Sequence, residues 1–412
     1  MSETKARPPN EAAVAAVMTS AAWQTALVTL AQEHDRTTAE LISLTEIAAP
    51  PFGEGPRGGA YLQMLRDHGL AEVEEDAIGN VMGLRRGTGN GLLVVVAAHL
   101  DTVFPAGTEV TVRREGTKLF APGVGDDTSG LATLLAWIRA LDAAAIRTKN
   151  DILFVGNVGE EGLGDLRGVR HLFREGRYKD RIAAFITVDS PDMDGIVVGG
   201  IGSKRYQVTF RGPGGHSYGA FGLVSPMYAM AQAVLELSRV AVPAEPRTTF
   251  SASVVGGGTS VNSIPNEVWV QVDLRSKEPA ELDRLERRFL RIVGDAVEAE
   301  NHARSVREGP IVAETKLLGD RPAGASDPSS ELVRYATDAM AAHGFATPHL
   351  YSSTDANIPM SLGIPAVKIG SGGTSGRGHS LEEWMDVAPE PCVRGRAAGL
   401  AAVLAIAGMA ID

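Results

Sequence analysis

Three continuous apolar runs are the strongest pattern in the first half of the chain. They are Leu92–Ala98, Asp151–Val158 and Ile182–Val188. Such runs are typical of strands that are covered on both faces, as in a parallel sheet. Helical patterns separate them, at Ser129–Leu141 and at Val169–Phe173. This alternation predicts an α/β domain with a largely parallel central sheet.

The pattern changes near residue 202. Lys204–Phe210 and Glu267–Leu274 alternate polar and apolar residues, as strands with one solvated face do. A third strand is predicted at Thr248–Val255, and helices are predicted at Pro226–Val240 and Pro279–Asn301. This βαββα block indicates a separate, small α+β domain.

The small domain divides the α/β domain into two segments. Gly319–Ser330 is rich in Pro, Gly, Ala and Ser, which predicts a linker. We therefore expect the α/β domain at residues 1–202 and 317–412, and the small domain at 203–316. The other predicted elements are helices at Ala12–Gln32, from about residue 36 to Pro50, at Gly58–His68, Glu331–His343 and Arg394–Ile411, and a strand at Ala366–Ile369.

Composition narrows the class of protein. The formal charge is −11 and aromatic residues make up 5%, which argues against a nucleic-acid partner, since such a partner needs basic surface and stacking side chains. The single cysteine, Cys392, excludes an internal disulfide framework and a cysteine-based zinc site.

The start of the chain, with Lys5 and Arg7, faintly resembles a signal peptide, but Pro8 and Pro9 interrupt it. The apolar C-terminal run is too short to span a bilayer. A cytoplasmic protein with no membrane partner is the expectation.

Histidine and acidic residues stand at one end of the predicted strands. In open parallel sheets, ligands bind at the carboxyl ends of the strands. We therefore expect these side chains to converge on one site. They are His99 and Asp101 after the first strand, Glu160 and Glu161 after the second, Asp189 after the third, Asp126 and Asp127 before the helix Ser129–Leu141, and His379 after Ala366–Ile369.

So many carboxylates in one place need a counter-charge. Histidine and carboxylate ligands without a thiolate suit zinc, cobalt or manganese. Two histidines and three carboxylates could hold two metal ions that share one bridging carboxylate. Asp101 could accept the second ring N–H of His99. A spare glutamate beside the metals would serve a hydrolase as a general base.

Several motifs together resemble the M20 family of co-catalytic zinc peptidases and amidohydrolases, over roughly residues 38–410. The resemblance implies a zinc-exopeptidase-like, mostly parallel sheet flanked by helices. It also implies an inserted α+β (βαββαβ) domain that forms a lid and carries a dimer interface. The motifs are HLDTV at His99–Val103, GVGDDTSG at Gly123–Gly130, GEEG at Gly159–Gly162, VDS at Val188–Ser190, GPGGHS at Gly212–Ser217, GGTSVNSIPNE at Gly257–Glu267, DLR at Asp273–Arg275 and GRGHSLEEW at Gly376–Trp384.

The resemblance assigns roles position by position. It implies two zinc ions per subunit, with manganese or cobalt as other candidates. It also implies a cis peptide bond between Asp126 and Asp127. The matching positions are His99 and Asp189 as ligands of one zinc, Glu161 and His379 as ligands of the other, Asp126 as the bridging ligand, Glu160 as the general base and Asp101 as the residue that orients His99.

Three residues of the inserted domain also match functional positions of the family. His216 matches a histidine that reaches the active site of the partner subunit in a homodimer and helps polarise the scissile carbonyl. Asn262 and Arg275 match positions that contact substrate. A strand arginine can instead pair with a neighbouring acid, here Asp273 or Glu267.

Two positions depart from the family pattern. Thr128 replaces the usual lysine, and we expect little effect on metal binding because this residue is not a ligand. Asp189 stands where other members carry glutamate, and aspartate there tends to accompany aminopeptidases and dipeptidases. The predicted function is therefore hydrolysis of short peptides, as an aminopeptidase-type di- or tripeptidase. The alternative is an N-acyl-amino-acid amidohydrolase or carboxypeptidase of the same family.

Two unrelated interpretations stay open. Gly215–Gly219 spells the G-x-S-x-G motif of serine hydrolases, but that motif needs a buried strand before it and a helix directly after it. A non-catalytic binding protein can share a fold with enzymes. Such a protein would be expected to lack a metal ligand or the base, and both are present here.

Overall fold

The computed structural model describes residues 11–89 and 91–410. The predictions that involve Lys5, Arg7, Pro8, Pro9 and Ile411 lie outside the described residues. The chain divides into two compact units. The main unit lies within residues 1–200 and 325–412, and the inserted unit comprises residues 201–324.

The first segment of the main unit alternates helices and strands. In chain order they are α1 (Glu11–Thr19), α2 (Ala21–Gln32), α3 (His34–Thr45), α4 (Gly55–Asp67), β1 (Ala71–Glu75), β2 (Val81–Arg85), β3 (Leu93–His99), β4 (Arg113–Glu115), β5 (Lys118–Phe120), α5 (Thr128–Ala143), β6 (Asp151–Asn157), α6 (Arg167–Arg174), β7 (Ile182–Val188) and β8 (Ile196–Gly200).

The inserted unit and the second segment of the main unit follow. The inserted unit contains β9 (Gly202–Arg211), β10 (Gly215–His216), α7 (Pro226–Ser238), β11 (Thr248–Gly257), β12 (Ser263–Ile264), β13 (Glu267–Ser276), α8 (Pro279–Ala303) and β14 (Val312–Arg321). β15 (Gly324–Ala325) lies at the boundary, and after it come α9 (Glu331–Ala342), β16 (His349–Ser352), α10 (Asn357–Ser361), β17 (Ala366–Ile369), β18 (Thr374–Gly376), β19 (Trp384–Asp386) and α11 (Pro389–Ala407).

The main sheet has nine strands within the described residues, in the order β1-β2-β6-β3-β7-β17-β8-β15, with β16 also paired to β8. Its centre is parallel, because β3 pairs in parallel with β6 and β7, and β17 pairs in parallel with β7. Every residue of β3 and β6 is buried, as expected for strands covered on both faces. The predicted α/β class with a mostly parallel sheet is confirmed. The carboxyl ends of β3, β6, β7 and β17 therefore meet at one edge.

A second sheet of the main unit has the order β18-β19-β5-β4. It joins two parts of the chain that are far apart in sequence, since β19 pairs with β5 from Trp384↔Phe120 to Asp386↔Lys118. The loop that carries Asp126 follows β5, and the loop that carries His379 lies between β18 and β19. Pairing within this sheet therefore holds the two loops in a fixed position relative to each other.

The inserted unit is built on an antiparallel sheet with the order β11-β13-β9-β14. Strand β13 alternates intermediate and buried residues along its whole length, which gives the sheet one buried face. Helices α7 and α8 contribute to the same apolar core as β9 and β13. Strands β10 and β12 form a separate two-stranded ribbon.

Three sequence predictions of secondary structure were wrong in part. The single N-terminal helix is two helices, because Ser20 breaks it and caps α2 by accepting from the backbone N–H of Trp23. The predicted linker Gly319–Ser330 contains the end of β14, which pairs with β9 up to Arg321 and has a register shift at Gly319. The closing helix begins earlier than predicted, at Pro389, and ends before Gly408, which adopts a left-handed conformation.

No single helix among the described residues is both long and apolar enough to cross a membrane, although the bent pair Ala13–Thr19 and Ala21–Gln32 passes that test of length and composition when taken together.

Candidate metal centre

His99 is the last residue of β3 and is buried. Its Nε2 donates to Asp126 Oδ1 at 2.9 Å, and its Nδ1 donates to the backbone carbonyl of Asp101 at 2.9 Å. The expectation that the Asp101 carboxylate accepts this second N–H was therefore wrong, since the nearest carboxylate oxygen lies 3.8 Å away. Burial alone would lower the pKa of His99, but Asp126 and the neighbouring acids raise it well above its usual value.

Asp126 lies in the glycine-rich loop between β5 and α5. The expected cis peptide bond between Asp126 and Asp127 is present. Asp127 is fully buried, and its carboxylate accepts from the backbone N–H of His99 at 3.2 Å and from that of Gly130 at 3.1 Å. Asp127 thus caps α5 and ties this loop to the end of β3, which leaves Asp126 facing His99.

His379 contacts the second carboxylate oxygen of Asp126. Its Nε2 lies 3.0 Å from Glu161 Oε1 and 3.2 Å from Asp126 Oδ2. Hydrogen bonds to Asp126 and Glu161 raise the pKa of His379 to about 11. Burial opposes ionisation of Asp126, yet its hydrogen bonds from His379 and His99 hold its pKa below the usual value. The same negative charge is available to a divalent cation.

Asp189 follows β7, the neighbour of β3 in the sheet. Its backbone N–H donates to the carbonyl of Ile369 at 3.0 Å, and its Oδ1 accepts from the Ser190 hydroxyl at 2.9 Å. These bonds fix the position of the Asp189 carboxylate at the end of β7.

The nitrogen and oxygen atoms of these side chains form three groups, each with its atoms within 4.8 Å of one another. They are His99 with Asp126 and Asp189, Asp126 with Glu161 and His379, and His99 with Glu160 and Glu161. Asp126 belongs to the first two groups, so its two oxygens are shared between two clusters of ligands. An all-nitrogen-and-oxygen donor set with a shared carboxylate fits a pair of divalent cations.

Glu160 and Glu161 follow β6, and Asp101 holds both of them through the main chain. Asp101 is fully buried, its Oδ1 accepts from the N–H of Glu160 at 3.0 Å, and its Oδ2 accepts from the N–H of Glu161 at 2.8 Å. The carboxylate of Asp101 thus orients the segment that carries the candidate base and one candidate ligand.

The sequence analysis missed two buried acids near these groups. Glu383 accepts three backbone N–H groups of the Asp126 loop. Asp355, before α10, accepts from Asn157 Nδ2 at 2.7 Å, and burial raises its pKa to about 7. Glu383 lies in the GRGHSLEEW motif, four residues after His379, and this short distance in sequence to a candidate ligand could have identified it. Asp355 offered no comparable signal.

The three predicted residues of the inserted unit lie on exposed or half-buried positions. His216 is exposed in β10, and its Nδ1 accepts from the N–H groups of Tyr218 and Gly219, each at 3.2 Å. Asn262 lies next to this segment, since its backbone carbonyl accepts from the N–H of Ser217 at 2.9 Å. Arg275 lies in β13, and its Nε donates to Asp273 Oδ2 at 2.6 Å, so the pairing considered from sequence is present.

The G-x-S-x-G sequence lacks the geometry of a serine hydrolase. Ser217 follows the two-residue strand β10, and α7 begins only at Pro226. A nucleophile elbow requires a core strand before the serine and a helix directly after it.

The comparisons with known proteins identify the family. The sequence model of peptidase family M20/M25/M40 matches residues 95–405, and the chain belongs to this family of metallopeptidases and amidohydrolases. Carboxypeptidase G2 of Pseudomonas sp. (strain RS-16) is 24% identical over 257 residues, which span 60% of this chain and 61% of that protein, less than two thirds of its length.

Solved structures share the fold. The aminopeptidase PepT of Bacillus cereus has a TM-score of 0.72 at 21% identity, over 91% of this chain and 99% of that chain. A tripeptidase of Staphylococcus aureus has a TM-score of 0.73 at 19% identity, over 90% and 99%.

Proposed function

We propose that this protein is a dinuclear metallohydrolase that cleaves the amide bond of short peptides, as an aminopeptidase-type di- or tripeptidase. The observation that carries the proposal is the shared position of Asp126. Its Oδ1 contacts His99 and its Oδ2 contacts His379, so one carboxylate serves two clusters of ligands.

Two zinc ions are the proposed cofactors, with manganese or cobalt as other candidates. His99 and Asp189 would hold one ion, Glu161 and His379 the other, and Asp126 would bridge them. The donor set of nitrogen and oxygen atoms supports this assignment, as does the membership in a metallopeptidase family. When bound, such ions lower the pKa of a water molecule and polarise a carbonyl group.

Glu160 is the proposed general base. It takes a proton from the attacking water and passes it to the nitrogen of the departing amine. One oxygen of its carboxylate lies within 4.8 Å of a ring nitrogen of His99 and a carboxylate oxygen of Glu161, which supports this role. Burial, at 6% exposure, limits competition from bulk water. The backbone N–H groups of Glu160 and Glu161 both donate to Asp101, which holds Glu160 in place.

The inserted unit is the proposed lid and dimer interface. His216 Nδ1 accepts two backbone N–H groups, so the proton of the neutral ring lies on Nε2. Nε2–H is then available to donate to the carbonyl oxygen of a substrate in the partner subunit. Asn262 and Arg275 are proposed substrate contacts. Arg275 keeps its outer guanidinium nitrogens for a carboxylate while Nε is bound to Asp273.

The edge strand β11 supports the homodimer. It stands at one end of the inserted sheet, and its Val254 and Val255 side chains are 45% and 63% exposed. Apolar side chains on an unpaired edge invite pairing with another chain.

The preference for a free amino end rests on Asp189 and on the names of the structural neighbours, an aminopeptidase and a tripeptidase. The likeness to carboxypeptidase G2 supports the second candidate, a carboxypeptidase or N-acyl-amino-acid amidohydrolase. A cytoplasmic location and the absence of nucleic-acid and membrane partners stay predictions.

A matched assay tests the proposed function. The purified protein is given Ala-Ala-Ala or its N-acetyl form, with zinc or manganese, with and without a chelator, and the products are identified by mass. The proposal requires chelator-sensitive cleavage of the free tripeptide alone, with release of the N-terminal residue. Cleavage of the acylated form, or release from the carboxyl end, would move the protein to the second candidate.

A further inference from the structure

A buried glutamate joins the two loops that bring Asp126 and His379 together. Glu383 is 1% exposed, and its Oε1 accepts from the backbone N–H groups of Gly125 at 2.9 Å and Asp126 at 3.0 Å. Its Oε2 accepts from the N–H of Gly123 at 3.0 Å. The side chain of Glu383, in the loop that carries His379, therefore accepts from three backbone N–H groups of the loop that carries Asp126.

The main chain around Glu383 strengthens this connection. The N–H of Ala121 donates to the Glu383 carbonyl at 3.1 Å, and the Glu383 N–H donates to the Ser380 carbonyl at 3.1 Å. His379 itself has a positive φ of 62°, a conformation that a non-glycine residue keeps only when its surroundings hold it. The turn that carries His379 is thus tied to Glu383 on one side, and the Asp126 loop is tied to Glu383 on the other.

We propose that Glu383 is a positioning residue that sets the spacing between the candidate ligands Asp126 and His379, and thereby the affinity for the pair of divalent cations. The inference rests on the proposed function. A buried carboxylate that accepts three N–H bonds is costly to replace, because each lost acceptor leaves a buried donor without a partner. Residues that hold metal ligands in place in this way typically change metal affinity by about 10- to 100-fold when they are mutated.

Glu383→Gln tests the proposal with little change in shape. The amide oxygen of the glutamine can still accept from the backbone N–H groups of Gly125 and Asp126. Its NH₂ group then faces the backbone N–H of Gly123, which loses its acceptor. Glu382→Gln is the matched control, because the neighbouring Glu382 side chain is 62% exposed and its nearest cation, Arg377, lies 4.0 Å away. The probe is zinc alone, measured by competition with a chromophoric chelator. The melting temperature and near-ultraviolet circular dichroism report on folding.

The wild-type protein and Glu382→Gln are expected to bind two zinc ions with equal affinity. Glu383→Gln is expected to bind at least one of them about 10-fold or more weakly. With the zinc supply limited, kcat should fall while KM is unchanged, because Glu383 is not placed against substrate, and excess zinc should restore kcat. A purely structural role would lower the melting temperature without this zinc dependence.

Gly125→Ala probes the same contact from the other loop, in case Glu383→Gln does not fold. A β-carbon there would lie 3.3 Å from Glu383 Oε1 and 3.4 Å from a Pro191 ring carbon, so the Glu383 side chain or the loop must give by a few tenths of an ångström. If a folded variant binds two zinc ions as tightly as the wild-type protein, this inference is overturned and the proposed function stands. If the wild-type protein itself binds fewer than two, the proposed function is overturned and this inference with it.

Discussion

The carboxylate of Asp101 accepts the backbone N–H of Glu160 at 3.0 Å, so a residue at the end of one strand sets the position of a residue at the end of the next. Its second oxygen accepts from Glu161 at 2.8 Å. One fully buried acid therefore aligns the candidate base and a candidate ligand through their main chain.

Asp101→Asn should test this relationship. The amide keeps one acceptor but turns an NH₂ group towards the other buried N–H, which should cost about 1–3 kcal/mol of unfolding free energy. The resulting misplacement of Glu160 should lower kcat by about 10²-fold. Denaturant unfolding and steady-state kinetics measure the two effects. Asp194→Asn, at an exposed acid of the same unit, is the control and should change neither. Normal turnover in Asp101→Asn would show that Glu160 is held by other contacts.

Glu160→Gln should separate proton transfer from metal binding. The amide cannot accept the proton of the attacking water, so kcat should fall by about 10²- to 10⁴-fold. The five proposed ligands are unchanged, so the zinc content should stay at the wild-type level. Elemental analysis and peptide hydrolysis on the same sample provide both readings. Near-normal hydrolysis in this variant would exclude Glu160 as the base.

His216→Ala mixed with Glu160→Gln should recover activity if each site takes His216 from the partner. Each variant alone is expected to be strongly impaired. A heterodimer of the two holds one intact site, and random mixing makes about half of the dimers heterodimers, so about a quarter of wild-type activity should return. A confirmed heterodimer that shows no recovery would refute the shared site.

Val255→Lys provides the control for that experiment. Val255 is 63% exposed on the edge strand β11, and a charge there should prevent pairing with a second copy. Light scattering should report a monomer, and the recovery on mixing should vanish when both chains carry the substitution. Val312→Lys, at a 55% exposed position on the opposite edge strand β14, should leave the dimer intact if the two copies pair through β11, and a monomer in this variant would place the interface at β14 instead.

Sequence patterns predicted the central sheet because its strands are buried on both faces and read as unbroken apolar runs. The same runs located His99, Glu161 and Asp189, since ligands at the carboxyl ends of parallel strands follow the last apolar residue. Strand β14 was missed in part because it is an edge strand with a register shift between Leu317 and Gly319, and because its last three residues fall in the stretch rich in Pro, Gly, Ala and Ser that predicted a linker.

The partners of Asp101 and the role of Glu383 were beyond sequence analysis for a different reason. Both carboxylates accept from backbone N–H groups, which every residue except proline carries and which leave no mark on the sequence. Only the fold brings position 383 against position 123, and only the fold turns the Asp101 carboxylate away from His99 and towards Glu160.

The most direct test of the proposed dinuclear site is anomalous diffraction at the zinc absorption edge from crystals grown with zinc. We expect two anomalous peaks per subunit, one beside His99 and Asp189 and the other beside Glu161 and His379, with the Asp126 carboxylate next to both. A single peak, or two peaks that do not share Asp126, would contradict the proposed site.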